Sequence, residues 1–418
     1  RCDPLPFQVN DDFEAGEEMQ LRYRFLHLRR PEMQEIFRLR DRIARAIREF
    51  FHDNGFVEIE TPFLTKSTPE GARDYLVPSR VRAGTFYALP QSPQLFKQLF
   101  MISGFDRYAQ IVRCFRDEDL RLDRQPEFTQ LDMEMAFVQR EDVMEVVEAC
   151  VQRIFKDALN IDIPLPLPRM TEHEATERFG IDRPDTRFGL ELQDVTDLMR
   201  ELDFNVFREA IDKGGVVKCI IASGGDKLTR KATDGLTEEL KGMGGAGLPL
   251  TKVAMAGTGI ELQTGIAKFL QPIAAKLCQK TGAATGDTIF FMPGANADAC
   301  KYLHHIRTRL GTILDIIPKD QWNLLWVIDF PLLTWDEEER RWASTHHPFT
   351  APLDEDLHML NTDPGKVRDK AYDLVLNGTE MAGGSIRIHR KDVQTQVFRI
   401  LGISDEEAKE KFEFLLDA

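Results

Sequence analysis

The sequence predicts an α+β protein: an antiparallel sheet flanked by helices, with a second α+β domain inserted into it. Three observations carry this. Extended stretches near 108–118 and 127–137 follow one another as a hairpin does, with no crossover helix between them. The chain has 418 residues, more than one hydrophobic core supports, so two or three domains are expected. After about residue 165 its character changes. Pro164, Pro166 and Pro168 stiffen the chain, and from about 190 to 298 the pairs Gly214-Gly215, Gly224-Gly225 and Gly244-Gly245 punctuate short β-like and helical runs. The division expected is a hinge segment over 1–30, a main domain in two parts over 31–189 and 299–418, and the insert over 190–298.

The elements follow in order. Residues 1 to about 30 read as irregular, with an acidic stretch at Asp11, Asp12, Glu14, Glu17 and Glu18. Pro31 suits a first helical turn. Met33, Ile36, Ile43, Ile47, Phe50 and Phe51 then recur at helical spacing up to a stop at Gly55. Phe56 to Pro62 reads as a short strand ended by proline, and 67–75 as a loop. A strand over Thr85 to Leu89 leads to a helix near Pro93 to Ser103, then the hairpin, then a helix from about 141 to 158. In the insert, Val216 to Ala222 reads as a strand and Ile266 to Lys280 as helical. Trp326 to Trp335 reads as one apolar strand, followed by an acidic turn at 336–339 and a strand leading to His346. The last elements expected are a helix around 364–377 and a strand from Gly383 to Arg390. The run Gly242 to Gly247 has no Gly-Lys-Ser/Thr ending and no preceding buried strand, which argues against a phosphate loop.

Composition narrows the class. With 42% hydrophobic and 29% charged residues the chain reads as soluble and globular, and no apolar run is long enough to span a membrane. The start, Arg-Cys-Asp-Pro, has no signal-peptide pattern, and six scattered cysteines form no C-x-x-C pair, so the expected location is a reducing cytoplasm. A net charge of -15 argues against a surface that grips nucleic acid everywhere, but Arg113, Arg116, Arg121 and Arg124 cluster in one segment.

That segment, Arg113 to Asp132, is the most informative in the chain. Strand periodicity puts Arg116 and Glu118 on one face. On the return strand Phe128, Gln130, Asp132 and Glu134 share a face, and Thr129, Leu131, Met133, Met135 and Phe137 take the other. Charge this dense would be costly in a core unless paired or bound to a ligand. The bland reading is a solvated edge hairpin, but the charges gather at the loop end. Arginine is a planar fork suited to phosphate, and a phenylalanine ring can stack on a purine.

These residues carry a resemblance. The hairpin is similar to the second signature motif of class II aminoacyl-tRNA synthetases. The helix from Pro31 and the strand ending at Pro62 resemble the first motif, which forms the dimer interface in that class. Thr68-Pro69-Glu70-Gly71-Ala72-Arg73-Asp74, Gln91-Ser92-Pro93-Gln94-Leu95-Phe96-Lys97, His346-His347-Pro348-Phe349 and Gly383-Gly384-Ser385-Ile386-Arg387-Ile388 resemble the bacterial-type aspartyl-tRNA synthetases. The insert resembles that family's GAD-like extra domain. The resemblance runs over nearly the whole chain.

It implies a ligase that activates L-aspartate with ATP and Mg2+ and transfers it to tRNA(Asp), with tRNA(Asn) left open as a second acceptor. It further implies a cytoplasmic homodimer without a membrane partner. Aspartate would be held by Glu70, Ser92, Gln94, Lys97, Arg116, Asp132, His346 and Arg387. Arg387 and Lys97 take its side chain, and Glu70 and Asp132 lie near its ammonium. ATP would be held by Arg116, Asp117, Glu118, Gln125, Phe128 and Glu380, with Arg116 and Glu118 as the catalytic pair, Asp373 and Glu380 as metal carboxylates, and Arg121 and Arg124 facing the tRNA. Taken alone, Asp373 also reads as a helix-surface acid, Glu380 as a turn acid and His346-His347 as a strand-end structural pair. Asparagine would lack the charge that Arg387 and Lys97 expect, and a hydrogen bond to a charged group is worth about 1.5–3 kcal/mol.

Two family pieces are expected outside this chain: an anticodon-reading β-barrel before it and a third, glycine-rich motif ending in an ATP-binding arginine after Leu415. Without the latter, weak or absent adenylation is expected. Competing readings are an ammonia-dependent asparagine synthetase on the same core, a non-catalytic synthetase paralogue, and asparaginyl-tRNA synthesis. The insert and the basic loop argue against the first, the intact pocket words against the second, and Lys97 and Arg387 against the third.

Overall fold

The structure is a computed structural model and describes residues 4–9, 15–67, 73–118, 125–256, 259–404, 406–409 and 412. The chain forms two compact units, one of residues 1–166 with 390–418, the other of residues 167–389. The expected boundaries at 189/190 and 298/299 both fall inside the second unit.

In the first unit the segment expected to be irregular holds two short helices, α1 (Glu17–Arg22) and α2 (Arg24–His27). The long helix α3 (Pro31–Asp53) starts at its proline and stops before Gly55, whose φ of +75° suits glycine. Strand β1 is only Val57–Glu58, followed by β2 (Leu76–Pro78), β3 (Phe86–Ala88), helix α4 (Gln94–Ile102), the hairpin β4 (Arg107–Phe115) and β5 (Glu127–Met135), and helix α5 (Arg140–Leu159). A capping box opens α5, with the Gln139 N–H donating to Asp142 Oδ2 at 2.7 Å. β4 and β5 pair antiparallel as expected, but β1 joins β4 in parallel, so the sheet is mixed. The two faces of β5 separate as its alternation predicts. Leu131, Met133 and Met135 pack with Phe50, Phe51, Phe56 and Cys150, while Phe128, Gln130, Asp132 and Glu134 line the opposite face.

The second unit opens with β6 (Arg169–Thr171), helix α6 (Glu172–Phe179), β7 (Gln193–Asp194), α7 (Thr196–Met199), α8 (Asn205–Asp212), β8 (Val216–Ala222) and α9 (Arg230–Gly242). It continues with β9 (Leu250–Ala256), β10 (Gly259–Gln263), α10 (Ala267–Leu270), α11 (Ala274–Thr281), β11 (Thr288–Gly294) and α12 (Asn296–Ile313). A 3₁₀ turn at Gln271–Ile273, around Pro272, splits the expected 266–280 helix, because proline removes a helical donor. The sheet β10-β9-β11-β8-β7 is antiparallel. One of its faces buries Phe207, Ile211 and Leu277, the other Leu236, Leu240, Leu303 and Ile306. Helix α12 crosses the expected insert boundary and belongs to that second face.

Two buried cations, Lys218 on β8 and Arg307 on α12, reach side chains of α6. Lys218 Nζ lies 2.7 Å from Glu177 Oε2. The fully buried Arg307 sits between the rings of Phe179 and Phe188, at 4.9 Å and 4.0 Å. Its Nε donates to the Gly189 carbonyl at 3.1 Å, and Nη2 donates to those of Asp185 and Phe188 at 2.8 Å and 2.7 Å.

The last strands depart most from expectation. The apolar run 326–335 is two strands, β12 (Leu324–Ile328) and β13 (Leu333–Asp336), and β13 pairs instead with β14 (Arg341–Ser344). The break holds Asp329 at a φ of +59° and Pro331, neither of which continues a ladder. The helix expected over 364–377 is absent. Only Pro364–Lys366 form a 3₁₀ turn, and Ala371–Leu376 is strand β15. Flanked by β12 and by β16 (Thr379–Ser385), β15 is buried on both faces, so its sequence shows no period-2 alternation and was open to a helical reading. β16 ends before Ile386, short of the expected Arg390. Among these strands only β6 runs parallel to its neighbour, β12.

Candidate active site

Each unit gathers part of the residues singled out from sequence. In the first unit, Ser92 Oγ accepts the Gln94 N–H at 3.2 Å at the start of α4. Gln94 and Lys97, one turn apart, are the buried residues of that helix. Lys97 Nζ lies 2.9 Å from Asp132 Oδ1 and 3.3 Å from Glu134 Oε2, with the three side chains 9%, 8% and 15% exposed. Two carboxylates around one ammonium leave this nearly enclosed cluster with a net negative charge. Lys97 and Asp132, expected at opposite ends of the same ligand, thus already hold each other. Glu134 joins them without having been singled out, although it lay on the face shared with Asp132.

At the hairpin's far end the Arg116 guanidinium stands 5.1 Å from the centre of the Phe128 ring, a cation–π pair. Arg116 and Glu118 lie past the end of β4 rather than on its face; the Arg116 N–H donates to the Pro126 carbonyl. Asp117 forms a backbone bridge to Arg73, which ties the residues leading into β2 to the end of the hairpin strand β4. Asp74 accepts from Ser67 Oγ and Gln91 Nε2, each at 2.5 Å. Gln125 is exposed. Glu70, Arg121 and Arg124 lie outside the described residues.

The second unit assembles the others around β15 and β16. Asp373 sits opposite Gly383, and the ladder shifts register between Leu374 and Val375. That bulge makes Glu380, rather than Met381, the partner of Val375, and so turns the Glu380 side chain to the Asp373 face. A Cβ at Gly383 would stand 2.5 Å from Asp373 Oδ1 and 3.8 Å from Glu380 Oε1. The glycine is therefore the floor on which the two carboxylates meet. Two acids of this kind, leaving room for phosphate oxygens and water, suit magnesium. Among the described residues no group of three or more metal-binding side chains occurs. Gly383→Ala is expected to weaken Mg2+-dependent ATP binding by about tenfold or more with the fold retained; calorimetry with and without Mg2+ measures it, and unchanged affinity would refute the floor.

His346 Nδ1 is 3.2 Å from Asp369 Oδ2, its Nε2 is 3.9 Å from Asp373 Oδ2, and its ring meets Phe330 edge-on at 4.7 Å. Asp369 is fully buried and its Oδ1 accepts the Ala371 N–H at 3.0 Å. Burial disfavours the charged ring, but hydrogen bonds to Asp369 and Asp373 outweigh it and raise the His346 pKa to about 10. Burial pushes Asp369 above the ordinary carboxyl range, against the pull of His346. A pKa raised on folding contributes stability in full below the unfolded value near 6.5, and that contribution fades as pH rises through about 10. The stability gap between the parent and His346→Gln should therefore be wide at pH 6 and nearly closed at pH 10.5; denaturant titrations at both pH values check it. Nothing in the sequence marked Asp369, which lies within the polar run Arg368-Asp369-Lys370 just before β15.

Arg387 lies just beyond β16 and bridges Thr350, which brings the His346-to-Phe349 segment beside it. Its Nη1 donates to Ser385 Oγ at 2.9 Å, and Ser385 Oγ is 3.2 Å from Thr350 Oγ1. Arg387 and Ser385 thus share a side, as period-2 spacing required.

Residues 16–418 match the family of tRNA synthetases class II (D, K and N). The chain is 51% identical over 419 residues to an aspartate–tRNA(Asp/Asn) ligase of Geotalea uraniireducens, covering 100% of this chain and 70% of that protein. It is 52% identical over 416 residues to an aspartate–tRNA ligase of Staphylococcus carnosus, covering 99% of this chain and 70% of that protein. Among solved structures it is similar to asparaginyl-tRNA synthetase from Pyrococcus horikoshii complexed with asparaginyl-adenylate. That likeness has a TM-score of 0.50 and 18% identity, covers 96% of this chain and 64% of the other, and concerns the fold. With its mixed sheets, its charged hairpin and a family match along nearly its whole length, the chain belongs to the class II tRNA synthetases for D, K and N.

Proposed function

We propose that this chain carries the aspartate-activating site of an aspartate–tRNA ligase: L-aspartate and ATP form aspartyl-adenylate, and the aspartyl group passes to tRNA(Asp). The observation that carries the reading is identity of about one half, over the whole chain, to relatives named aspartate–tRNA ligases. The site chemistry selects among the three amino acids of the family. A carboxylate side chain calls for cations, the role that the family resemblance gives to Lys97 and Arg387. A lysine ligand would need acids there, and asparagine would leave charge uncompensated. The excess negative charge around Lys97 suits the ammonium group of an amino acid, with Asp132 as acceptor.

For ATP, Arg116 and Phe128 are placed as a pair that could clasp a nucleotide, with Asp117, Glu118 and Gln125 beside them in sequence. Asp373 and Glu380 would hold Mg2+, which, when bound, neutralises phosphate charge and orients the leaving pyrophosphate. The chain's own residues work by alignment and charge stabilisation, with no covalent enzyme intermediate. Arg121, Arg124 and Glu70 keep the roles that the family resemblance implies.

The working form proposed is a cytoplasmic homodimer. Ile36 and Phe37 on α3, and Val57, Phe63 and Leu64 around the edge strand β1, are large apolar side chains left exposed. No helix among the described residues is long and apolar enough to cross a membrane.

Calorimetric titration with L-aspartate, L-asparagine and L-lysine, in the presence of ATP and Mg2+, tests the reading. Binding is expected for aspartate, at least tenfold tighter than for the other two. Equal or tighter binding of asparagine or lysine would overturn it.

A further inference from the structure

We propose that Gln110 is a positioning residue of the amino-acid site, acting through Asp132, and that Tyr108 and Thr61 set its side chain. The inference rests on the reading of the Lys97 cluster as the aspartate pocket. Tyr108 and Gln110 lie two residues apart on one face of β4. The register places Tyr108 directly opposite Glu134 and Gln110 directly opposite Asp132, the two carboxylates that hold Lys97. Each carboxylate of the cluster is thus backed by one polar residue of the neighbouring strand, with directly opposed side chains about 4.5–5.5 Å apart at Cβ.

The polar atoms behind the cluster are themselves ordered. Tyr108 is fully buried, and its hydroxyl donates to Gln110 Oε1 at 2.7 Å. Thr61, 8% exposed, donates its Oγ1 proton to the same oxygen at 3.1 Å. With its oxygen taken up by the two hydroxyls, the amide turns its N–H groups away from them, which is the polarity a carboxylate across the ladder needs. Burial, together with the charges of Asp132 and Glu134, holds Tyr108 in its protonated form, so it stays a donor. The Tyr108 ring also meets Phe100 at 5.4 Å, on the same helix as Lys97 and one turn along. One tyrosine therefore ties together the helix that carries the cation and the amide behind the carboxylate.

Buried polar chains of this kind are strong when every member is satisfied and fail as a unit when one is removed. Thr61 follows the short strand β1, so the hydrogen bonds run from that segment to Gln110 and Tyr108 on β4, and the register sets those two opposite Asp132 and Glu134 of β5. The alternative is a purely structural polar cluster, whose loss would lower stability and weaken every ligand alike.

Tyr108→Phe and Thr61→Val remove one hydroxyl each with little change of shape, and Thr61→Ser keeps the donor. L-aspartate and ATP affinities are measured by calorimetry, alongside denaturation midpoints. Tyr108→Phe and Thr61→Val are expected to weaken aspartate binding about five- to tenfold and to leave ATP affinity within about twofold of the parent. Thr61→Ser should bind aspartate as the parent does. Parent-like aspartate affinity in both hydroxyl-deleted variants would overturn the proposal, and so would a parallel loss of aspartate and ATP binding that tracks the fall in midpoint. Failure of the parent itself to bind aspartate would overturn the reading of the pocket and this inference together.

Discussion

Lys97→Met is expected to abolish aspartate binding and to lower folding stability by about 3–5 kcal/mol, the range for removing one partner of a buried ion pair. The cost comes from what is left behind. Asp132 and Glu134 both lie within 3.3 Å of the lysine nitrogen, with side chains 8% and 15% exposed. Without the ammonium they face each other across a nearly dry pocket, and one must take up a proton or the helix α4 must move. The loss should therefore shrink at low pH, where protonation relieves the repulsion. Methionine keeps the length of the lysine stem, so lost packing contributes little. Adding Asp132→Asn and Glu134→Gln to Lys97→Met should restore most of the stability and none of the binding. Denaturant titration and calorimetry separate the two effects. A single variant within about 1 kcal/mol of the parent would show that the pair adds nothing net.

Arg307→Met is expected to cost a similar amount, about 3–5 kcal/mol, and to act on the second unit. The guanidinium is fully buried and burial draws its pKa down to about 10, yet it keeps its charge at neutral pH. Three carbonyls, those of Asp185, Phe188 and Gly189, depend on it, and two aromatic faces enclose it. Removing the donor leaves buried acceptors without partners, the expensive side of a hydrogen bond. Arg307→Lys should recover only part of the loss, because a single ammonium cannot reach three carbonyls in the arrangement of the planar fork. Hydrogen exchange should show the 185–189 segment and α12 opening first. Unchanged protection there would refute the role.

The hairpin β4–β5 was legible because its two faces differ chemically at period 2. Its residues fell where the alternation put them, down to the separation of Leu131 and Met133 from Asp132 and Glu134. The helix α3 was legible for the same kind of reason: apolar residues at helical spacing between a proline and a stop. β15 was not, since a strand buried on both faces loses its alternation. The break between β12 and β13 was hidden inside an apolar run by a local backbone turn at Asp329.

The candidate site divides along the same line. Arg116 and Phe128 could be named from the dense charge of the hairpin, whereas Lys97, Asp132, His346 and Arg387 took their roles from what the resemblance to the class II synthetases implies. Glu134, Asp369, Gln110 and Tyr108 could not be given roles, since each acts through a neighbour that only folding supplies. Glu380 shows the difference most directly. Its identity was readable, but the face to which it points depends on a one-residue register shift in a ladder between two strands.

By itself, then, the sequence determined the periodic elements, the charge pattern of the hairpin and the family to which the motifs belong, all of which are local in the chain. Tertiary structure alone decided the pairing of Lys97 with two carboxylates, the burial of Asp369 beneath His346 and the meeting of Asp373 and Glu380 over Gly383. Those depend on desolvation and on strand register, and both arise only when segments tens of residues apart are brought into contact.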